Sequence, residues 1–422
     1  MLDAIGVCPE EIFSSPVRLC GLPKPLSQKQ IWRLAQELSA RQKPFLSFLG
    51  AGAYEHHIPP LVWEIASRSE FLTGYTPYQP EASQGVLQVF YEFQSLMAKL
   101  LAMDVVNDSL YDGASALAEA VLMAQRLKPG KVLLPRVLHP SWRQTLNTLT
   151  SGARLDLEEI PFDAATGRMA PRESSKEISA LVVAQPNFFG VIEEADELAA
   201  WARRHEALII AVVNPFSLAL LRPPGQWGDD GADIAVGDTQ PLGIPLSFGG
   251  PYCGFLAAKK EHLRQMPGRL TGRTKDLRGQ EGFVLTLQAR EQHIRRGRAT
   301  SNICTNQGLM VVANTLYLAA MGEDGLGYAA AKSVENTHRL TELLLPLGVR
   351  LAFDAPFFHE AAIVLPKPPS PLLEGLAEMG ILGGFALGKE YPELEDAILL
   401  CATETKEEED LLCFRDRLAG LL

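Results

Sequence analysis

Glu194-Ala-Asp-Glu-Leu-Ala-Ala-Trp-Ala-Arg-Arg-His-Glu-Ala-Leu-Ile-Ile-Ala-Val-Val213 changes its period halfway along. Residues 194–204 space their apolar side chains as a helix with one covered face does. Residues 207–213 are an unbroken apolar run of strand length, which suits a strand buried on both faces. The same rhythm extends in both directions. Strand-like runs lie at 131–134, 180–184, 233–236 and 252–257, and helical stretches at 84–103, 115–127 and 142–149. In 84–103 the apolar positions are Val86, Leu87, Phe90, Phe93, Met97, Leu100 and Leu101, which fall on one helical face. Strands alternating with helices at this interval predict an α/β fold with a mostly parallel sheet covered on both faces.

The ends of the chain read differently. Residues 1–54 are expected to form an N-terminal arm, with Ser27 and Gln30 as the capping box of a helix running to Arg41. Its few apolar positions suit packing on a neighbouring subunit rather than a core of its own. Residues 55–324 make the large domain. Two long helices, 308–321 and 325–345, lead into strands at 349–353, 361–365 and 397–401 and helices at 371–379 and 406–421. That describes a small C-terminal α+β domain over residues 325–422. A large α/β domain followed by a small α+β domain is the layout of the aspartate-aminotransferase class (fold type I) of pyridoxal 5'-phosphate (PLP) enzymes, with its seven-stranded type of sheet.

Composition narrows the function. The chain has 422 residues, 47% of them hydrophobic and 21% charged. A net charge of −11 argues against a nucleic-acid groove. Six cysteines (Cys8, Cys20, Cys253, Cys304, Cys401, Cys413) form no Cys-x-x-Cys pair and no spacing suited to zinc. They read as reduced thiols. With no leader-like opening and no apolar run of membrane-spanning length, the expectation is a cytoplasmic protein with no metal.

Measured against PLP chemistry, the large domain is incomplete. The turn in Tyr111-Asp-Gly-Ala-Ser-Ala-Leu-Ala-Glu119 stands where such an enzyme holds the cofactor phosphate on free N–H groups at a helix start. Asp112 would oppose a dianion there, and the turn reads equally as an ordinary helix cap. His139 stands where a ring commonly stacks on the pyridine, and it reads equally as a loop residue. The strand 207–213 ends in Asn214, where an aspartate should pair with the pyridine nitrogen to make the ring an electron sink. About 26 residues on, Gln240 stands where the Schiff-base lysine is expected, and no lysine occurs between Lys176 and Lys259. Two independent chemical requirements fail at the expected spacing.

The strongest motif is Gln288-Ala-Arg-Glu-Gln-His-Ile-Arg-Arg-Gly-Arg-Ala-Thr-Ser-Asn-Ile-Cys-Thr-Asn-Gln307. Arg290, Arg295, Arg296 and Arg298 gather positive charge beside Thr300, Ser301 and Asn302, which suits a phosphate or a carboxylate. Together with Tyr75-Thr-Pro-Tyr-Gln-Pro80 and Gly249-Gly250-Pro251, it makes the chain resemble the P-protein family of the glycine cleavage system. The likeness is to subunit 1 of glycine dehydrogenase (decarboxylating), the form whose N-terminal half is a separate chain. It runs from Ile5-Gly6-Val7 to the C-terminal helix.

The resemblance implies a pseudo-dimer of two related halves, of which the second subunit (beta) carries the lysine and the PLP. It implies an alpha2-beta2 heterotetramer that decarboxylates glycine and passes the aminomethyl group to the lipoyl arm of H-protein, and an alpha chain inactive alone. Thr300 and Ser301 become contacts to the partner's PLP phosphate, and Tyr75, Tyr78, Gln79 and Asn302 line the glycine pocket. His139, Asn214 and Gln240 become degenerate PLP positions. Arg269, Arg273 and Arg278 are expected to be exposed in a mobile Gly-rich stretch, 267–282, that could steer the acidic H-protein. Two other readings stand beside this one: a pure scaffold for the PLP-bearing subunit, and a self-sufficient PLP enzyme using Lys259 or Lys275.

Overall fold

The structure, a computed structural model, describes residues 25–41, 45–171 and 177–422. Ile5-Gly6-Val7, Cys8, Cys20 and Lys176 lie outside the described residues. The chain divides into two units, Met1–Phe45 and Leu46–Leu422. Of the first, the helix Gln28–Arg41 is described. Its capping box is the expected one: the Ser27 amide donates to Gln30 Oε1 at 2.8 Å and the Gln30 amide to Ser27 Oγ at 3.4 Å.

The second unit is built on a seven-stranded sheet in the order Val105–Val106, Gly254–Ala258, Ile234–Asp238, Leu208–Val213, Ile178–Gln185, Lys131–Pro135, Leu157–Ile160. All of it runs one way except Gly254–Ala258, which pairs antiparallel on both sides. Alternate side chains of each central strand enter different cores. Ile209, Ala211 and Val213 pack with the helices Gln84–Leu101 and Ala195–Arg204, whereas Ile210 and Val212 pack with Gly113–Leu127. Burial on both faces is why the run had no polar alternation to read. Each such buried aliphatic side chain contributes about 1.5–3 kcal/mol.

The helix Gly308–Leu344 breaks at Gly322, whose φ of +61° and ψ of −169° lie outside the helical region. The break separates the two helices that the sequence distinguishes. Beyond it a four-stranded sheet, in the order Arg350–Leu351, Glu360–Val364, Ala397–Cys401, Phe385–Ala386, is covered by the helices Pro369–Glu378 and Glu408–Leu421. Residues 46–54, grouped by the sequence with the arm, join this region. Leu46–Ser47 pairs in parallel with Ile381–Leu382, and Phe48 is buried against Phe414.

The stretch 267–282 differs from expectation. It is the ordered first strand and turn of a hairpin, Leu270–Lys275 against Glu281–Thr286, closed by Asp276 Oδ1 accepting from the amides of Arg278 and Gln280. The glycines hid a strand pair: Gly272 lies opposite Val284, where a side chain would meet the Thr286 methyl.

The regions built on the seven-stranded and four-stranded sheets meet at Gly190. Its carbonyl accepts from the Phe358 amide at 2.9 Å, and Val191 bridges to Phe357. Its φ is +79°, and a Cβ there would stand 2.0 Å from the Glu360 carbonyl oxygen. Gly190→Ala is therefore expected to cost about 2–3 kcal/mol, read as a lower denaturant midpoint; an unchanged midpoint would mean that this seam yields freely.

Candidate functional site

In an open parallel sheet the crevice for a ligand lies at the carboxyl ends of the strands. Here that edge holds a cavity of about 90 Å³, lined among others by Gly52, Tyr54, His139, Trp142, Asn214, Asp238, His359 and Glu360, and beside it a more open one of about 440 Å³ that shares Gly52, His139, Trp142 and Asp238 and reaches Tyr111, Asp112 and Ala114. Small-molecule pockets are typically about 300–1,000 Å³. The chain's own segment 51–54 lines both and lies across the strand ends.

Three side chains tie that segment down. Glu360, at the head of its strand, accepts the Ala51 amide at 2.6 Å and the Tyr54 hydroxyl at 2.7 Å. Gln240 clasps the Tyr54 backbone from both sides: Oε1 accepts the Tyr54 amide at 2.8 Å, and Nε2 donates to the Tyr54 carbonyl at 2.9 Å. Nε2 also donates to the Ile244 carbonyl, so every polar atom of this buried amide is used. His139 caps the helix Pro140–Thr150 through Nδ1, which accepts the Ser141 amide, while Nε2 donates to the Ala51 carbonyl at 2.8 Å. These bonds assign the neutral Nε2–H tautomer, and burial lowers the ring's pKa in the same direction. Gly52, with φ +98°, lies on the imidazole: a Cβ there would be 2.7 Å from His139 Cδ2.

The helix start is equally full. Asp112 is the N-cap, its Oδ1 accepting the Ser115 amide at 2.7 Å, and Ser115 Oγ accepts the Asp112 amide in return. Asp238, at the end of its strand, reaches across to accept the Gly113 amide at 3.0 Å and also takes the Gln240 amide at 2.9 Å. Burial pushes Asp238 up to about 6, against the pull of these two amides. Two carboxyl groups thus hold the Gly113 and Ser115 amides and bring negative charge to the place where an anion would be cradled. Asn214 caps the turn Pro215–Ala219 through Oδ1, which accepts the Phe216 amide, and its Nδ2 lies 3.5 Å from His359 Nε2. The residues at this edge do not fit PLP: among those described there is no amine within it, and Asn214 rather than an acid stands at the pyridine end. Lys259 is ion-paired with Asp233 at 2.9 Å, at the opposite end of the strand Ile234–Asp238, about 16 Å away by strand rise. Lys275 lies on the exposed hairpin.

Sequence similarity agrees with this architecture. The family described as the glycine cleavage system P-protein matches residues 4–415. The chain belongs to that family. Within the P-protein family, the probable glycine dehydrogenase (decarboxylating) subunit 1 of Methylococcus capsulatus is 55% identical, over 100% of this chain and 97% of its own. The protein of the same name from Thioalkalivibrio sulfidiphilus is 54% identical, over 97% and 94%. A crystal structure of glycine decarboxylase (P-protein) of the glycine cleavage system, in inhibitor-bound form, matches with a TM-score of 0.93 at 45% identity, covering 100% of this chain and 95% of that one. Sphingosine-1-phosphate lyase of Burkholderia pseudomallei (TM-score 0.66, 14% identity, 96% of this chain and 92% of its own) and alanine–glyoxylate aminotransferase of Nostoc (0.62, 15%, 90% and 96%) share the fold, which is that of fold type I PLP enzymes.

The residues that the P-protein resemblance singles out fall into two groups. His139, Asn214 and Gln240 all meet at the filled edge. Tyr75, Tyr78, Gln79 and Asn302 are exposed instead, Tyr75 by 75% and Tyr78 by 56%, and Thr300 and Ser301 are half-buried. The Thr300 amide donates to the Arg290 carbonyl at 3.0 Å, and Ser301 Oγ accepts the Ile303 amide at 3.0 Å. The arginines divide. Arg295, Arg296 and Arg298 are exposed, whereas the buried head of Arg290 is spent on the carbonyls of Met266 and Gly268. Arg269, expected at the surface, is only 4% exposed. Its guanidinium donates to the Cys304 carbonyl, and at 3.3–3.4 Å to the Tyr78 hydroxyl and Asn306 Oδ1. Asp238 and Glu360 were missed. The signal was available for Glu360, a lone acid at the head of an apolar strand.

Burial holds Glu360 up at about 7, against the Tyr54 hydroxyl and the Ala51 amide, which favour its ionised form. A raised carboxyl contributes stability that is complete below its unfolded value near 4.5 and is lost as pH rises through about 7. The melting temperature is expected to fall between pH 5 and 8. Glu360→Gln, which keeps the shape without the titration, should flatten that fall; an unaltered slope would assign the titration to other groups.

Proposed function

We propose that this chain is the subunit of a two-subunit glycine-decarboxylating P-protein that does not carry PLP, and that it completes the site of a second, PLP-bearing subunit. The observation that carries the reading is the filled cradle: Asp112 and Asp238 hold the amides of the Gly113 helix, and Gln240 is bound to the Tyr54 backbone. A lysine at 240 would lack the acceptor that the Tyr54 amide uses.

Glycine decarboxylation is the activity named for the relatives. PLP, held by the partner, supplies the electron sink for the carbanion left by carbon dioxide. This chain's part is to bind and to enclose. Thr300 and Ser301 offer hydroxyls for the partner's PLP phosphate, and Tyr75, Tyr78, Gln79 and Asn302 form one wall of the glycine pocket. Their exposure in the single chain supports this: large aromatic side chains left open to water mark an interface. The aminomethyl group then passes to the lipoyl arm of H-protein, and Arg273 and Arg278 on the exposed hairpin offer the acidic partner a basic approach. The assembly is an alpha2-beta2 heterotetramer of the cytoplasm. Among the described residues no helix is long and apolar enough to cross a membrane.

The test is to add PLP to this chain alone, then to its mixture with the second subunit. The visible cofactor band and glycine decarboxylation should appear only in the mixture. A borohydride-fixed label on this chain alone would revive the self-sufficient reading. Thr300→Val in the assembled enzyme is expected to weaken PLP by roughly tenfold, the worth of one hydrogen bond to a charged group. PLP affinity and kcat unchanged by Thr300→Val, Ser301→Ala and Tyr75→Phe would reduce the chain to a scaffold.

A further inference from the structure

We infer that Arg269 is a positioning residue for the glycine pocket: its buried guanidinium joins the Tyr78 segment to the Cys304–Asn306 segment and so fixes Tyr75–Gln79 relative to Thr300–Asn302. The inference rests on the reading above that these two segments face the partner's site.

The geometry is specific to a guanidinium. Arg269 donates to the Cys304 carbonyl, to Asn306 Oδ1 at 3.4 Å and to the Tyr78 hydroxyl at 3.3 Å, and its head lies 5.2 Å from the Tyr78 ring centroid. Three acceptors on two segments, plus a ring face, are met by one planar fork; an ammonium on a flexible stem could hold one or two. Behind it lies Asp108, fully buried, whose carbonyl accepts from Asn306 Nδ2 at 2.9 Å and whose Oδ2 accepts from the Thr271 hydroxyl at 3.3 Å. The Asp108 amide donates to the Arg269 carbonyl at 3.0 Å, so the pair is braced through backbone as well.

This cluster is poorly arranged for stability alone. Arg269 Nε and Asp108 Oδ1 are buried with no hydrogen-bond partner among the described residues. Buried groups left unpaired cost stability, and apolar residues of similar volume commonly serve a core as well or better. What the arginine does supply is a direct hydrogen-bonded link between the two stretches. Tyr78 is more than half exposed and has no other side-chain bond among those described, so its hydroxyl is located by Arg269.

A double-mutant cycle in the assembled two-subunit holoenzyme tests this. Arg269→Met is expected to lower kcat/KM for glycine about tenfold, mainly through KM, with assembly intact. Tyr78→Phe should lower it less, and the double variant no further than Arg269→Met, because the residues act as one unit. Arg203→Met, which removes a half-buried partner of the buried Asp233 at the far end of the sheet, should lower the melting temperature and leave kcat/KM within about twofold. If Arg269→Met does not assemble, Arg269→Lys, which keeps the charge and loses the fork, takes its place in the same cycle. Additive losses, or an unchanged kcat/KM in the Arg269 variant while Tyr78→Phe and Thr300→Val are impaired, overturn this inference alone. No loss in either Tyr78→Phe or Thr300→Val overturns the underlying reading and the inference with it.

Discussion

The two-sided clasp of Gln240 on the Tyr54 backbone is the contact around which the strand ends are organised. It fixes a peptide segment where a ligand would lie, and the neighbouring residues follow from its course. Once Tyr54 is held, its hydroxyl reaches Glu360 and its preceding turn lies on His139. Asp238, two residues before Gln240, is left facing the helix start, where its carboxyl satisfies the Gly113 amide. Trp142 closes the remaining side: its ring tip occupies the space into which any Cβ on Gly113 would project. Gln240, Glu360, Asp238 and His139 thus all have partners within the chain.

The exposed apolar residues have the opposite character. Tyr75, Phe248, Leu277 and Ile294 stand open to water. Ser247 and Phe248 both have positive φ, a conformation that side chains other than glycine adopt at a cost. A chain that spends its hydrogen bonds at the strand ends and leaves its aromatics uncovered elsewhere is built to be useful at a surface.

Most of the architecture was legible because it follows from periodicity. The strand predicted at 397–401 has those bounds in the structure, and the helix break near 322 lay between the two predicted helices. Val105–Val106 and Leu157–Ile160 were not legible: two and four residues carry too little pattern, and their place is set by neighbours in the sheet. Asn214 and Gln240 could be flagged because chemistry demands particular residues there. Asp238 could not, since an acid after a strand is unremarkable until the helix start opposite it is known. The misreading of Arg269 has the same origin. A cation among glycines reads as surface, and only the fold reveals the carbonyl of Cys304 and the hydroxyl of Tyr78 converging on it.

The parallel pairing of Leu46–Ser47 with Ile381–Leu382 has a consequence for biogenesis. Ala51 meets Glu360 at a separation of 309 positions in the sequence, and the strand pair spans more. During synthesis the large sheet can assemble as its strands emerge, and His139 and Gln240 can take up Ala51 and Tyr54 with it. The bonds to Glu360 and the pairing with Ile381–Leu382 must wait until nearly the whole polypeptide has left the ribosome. The segment that lies across the strand ends is therefore seated in two stages, and its last anchors come from the C-terminal sheet region.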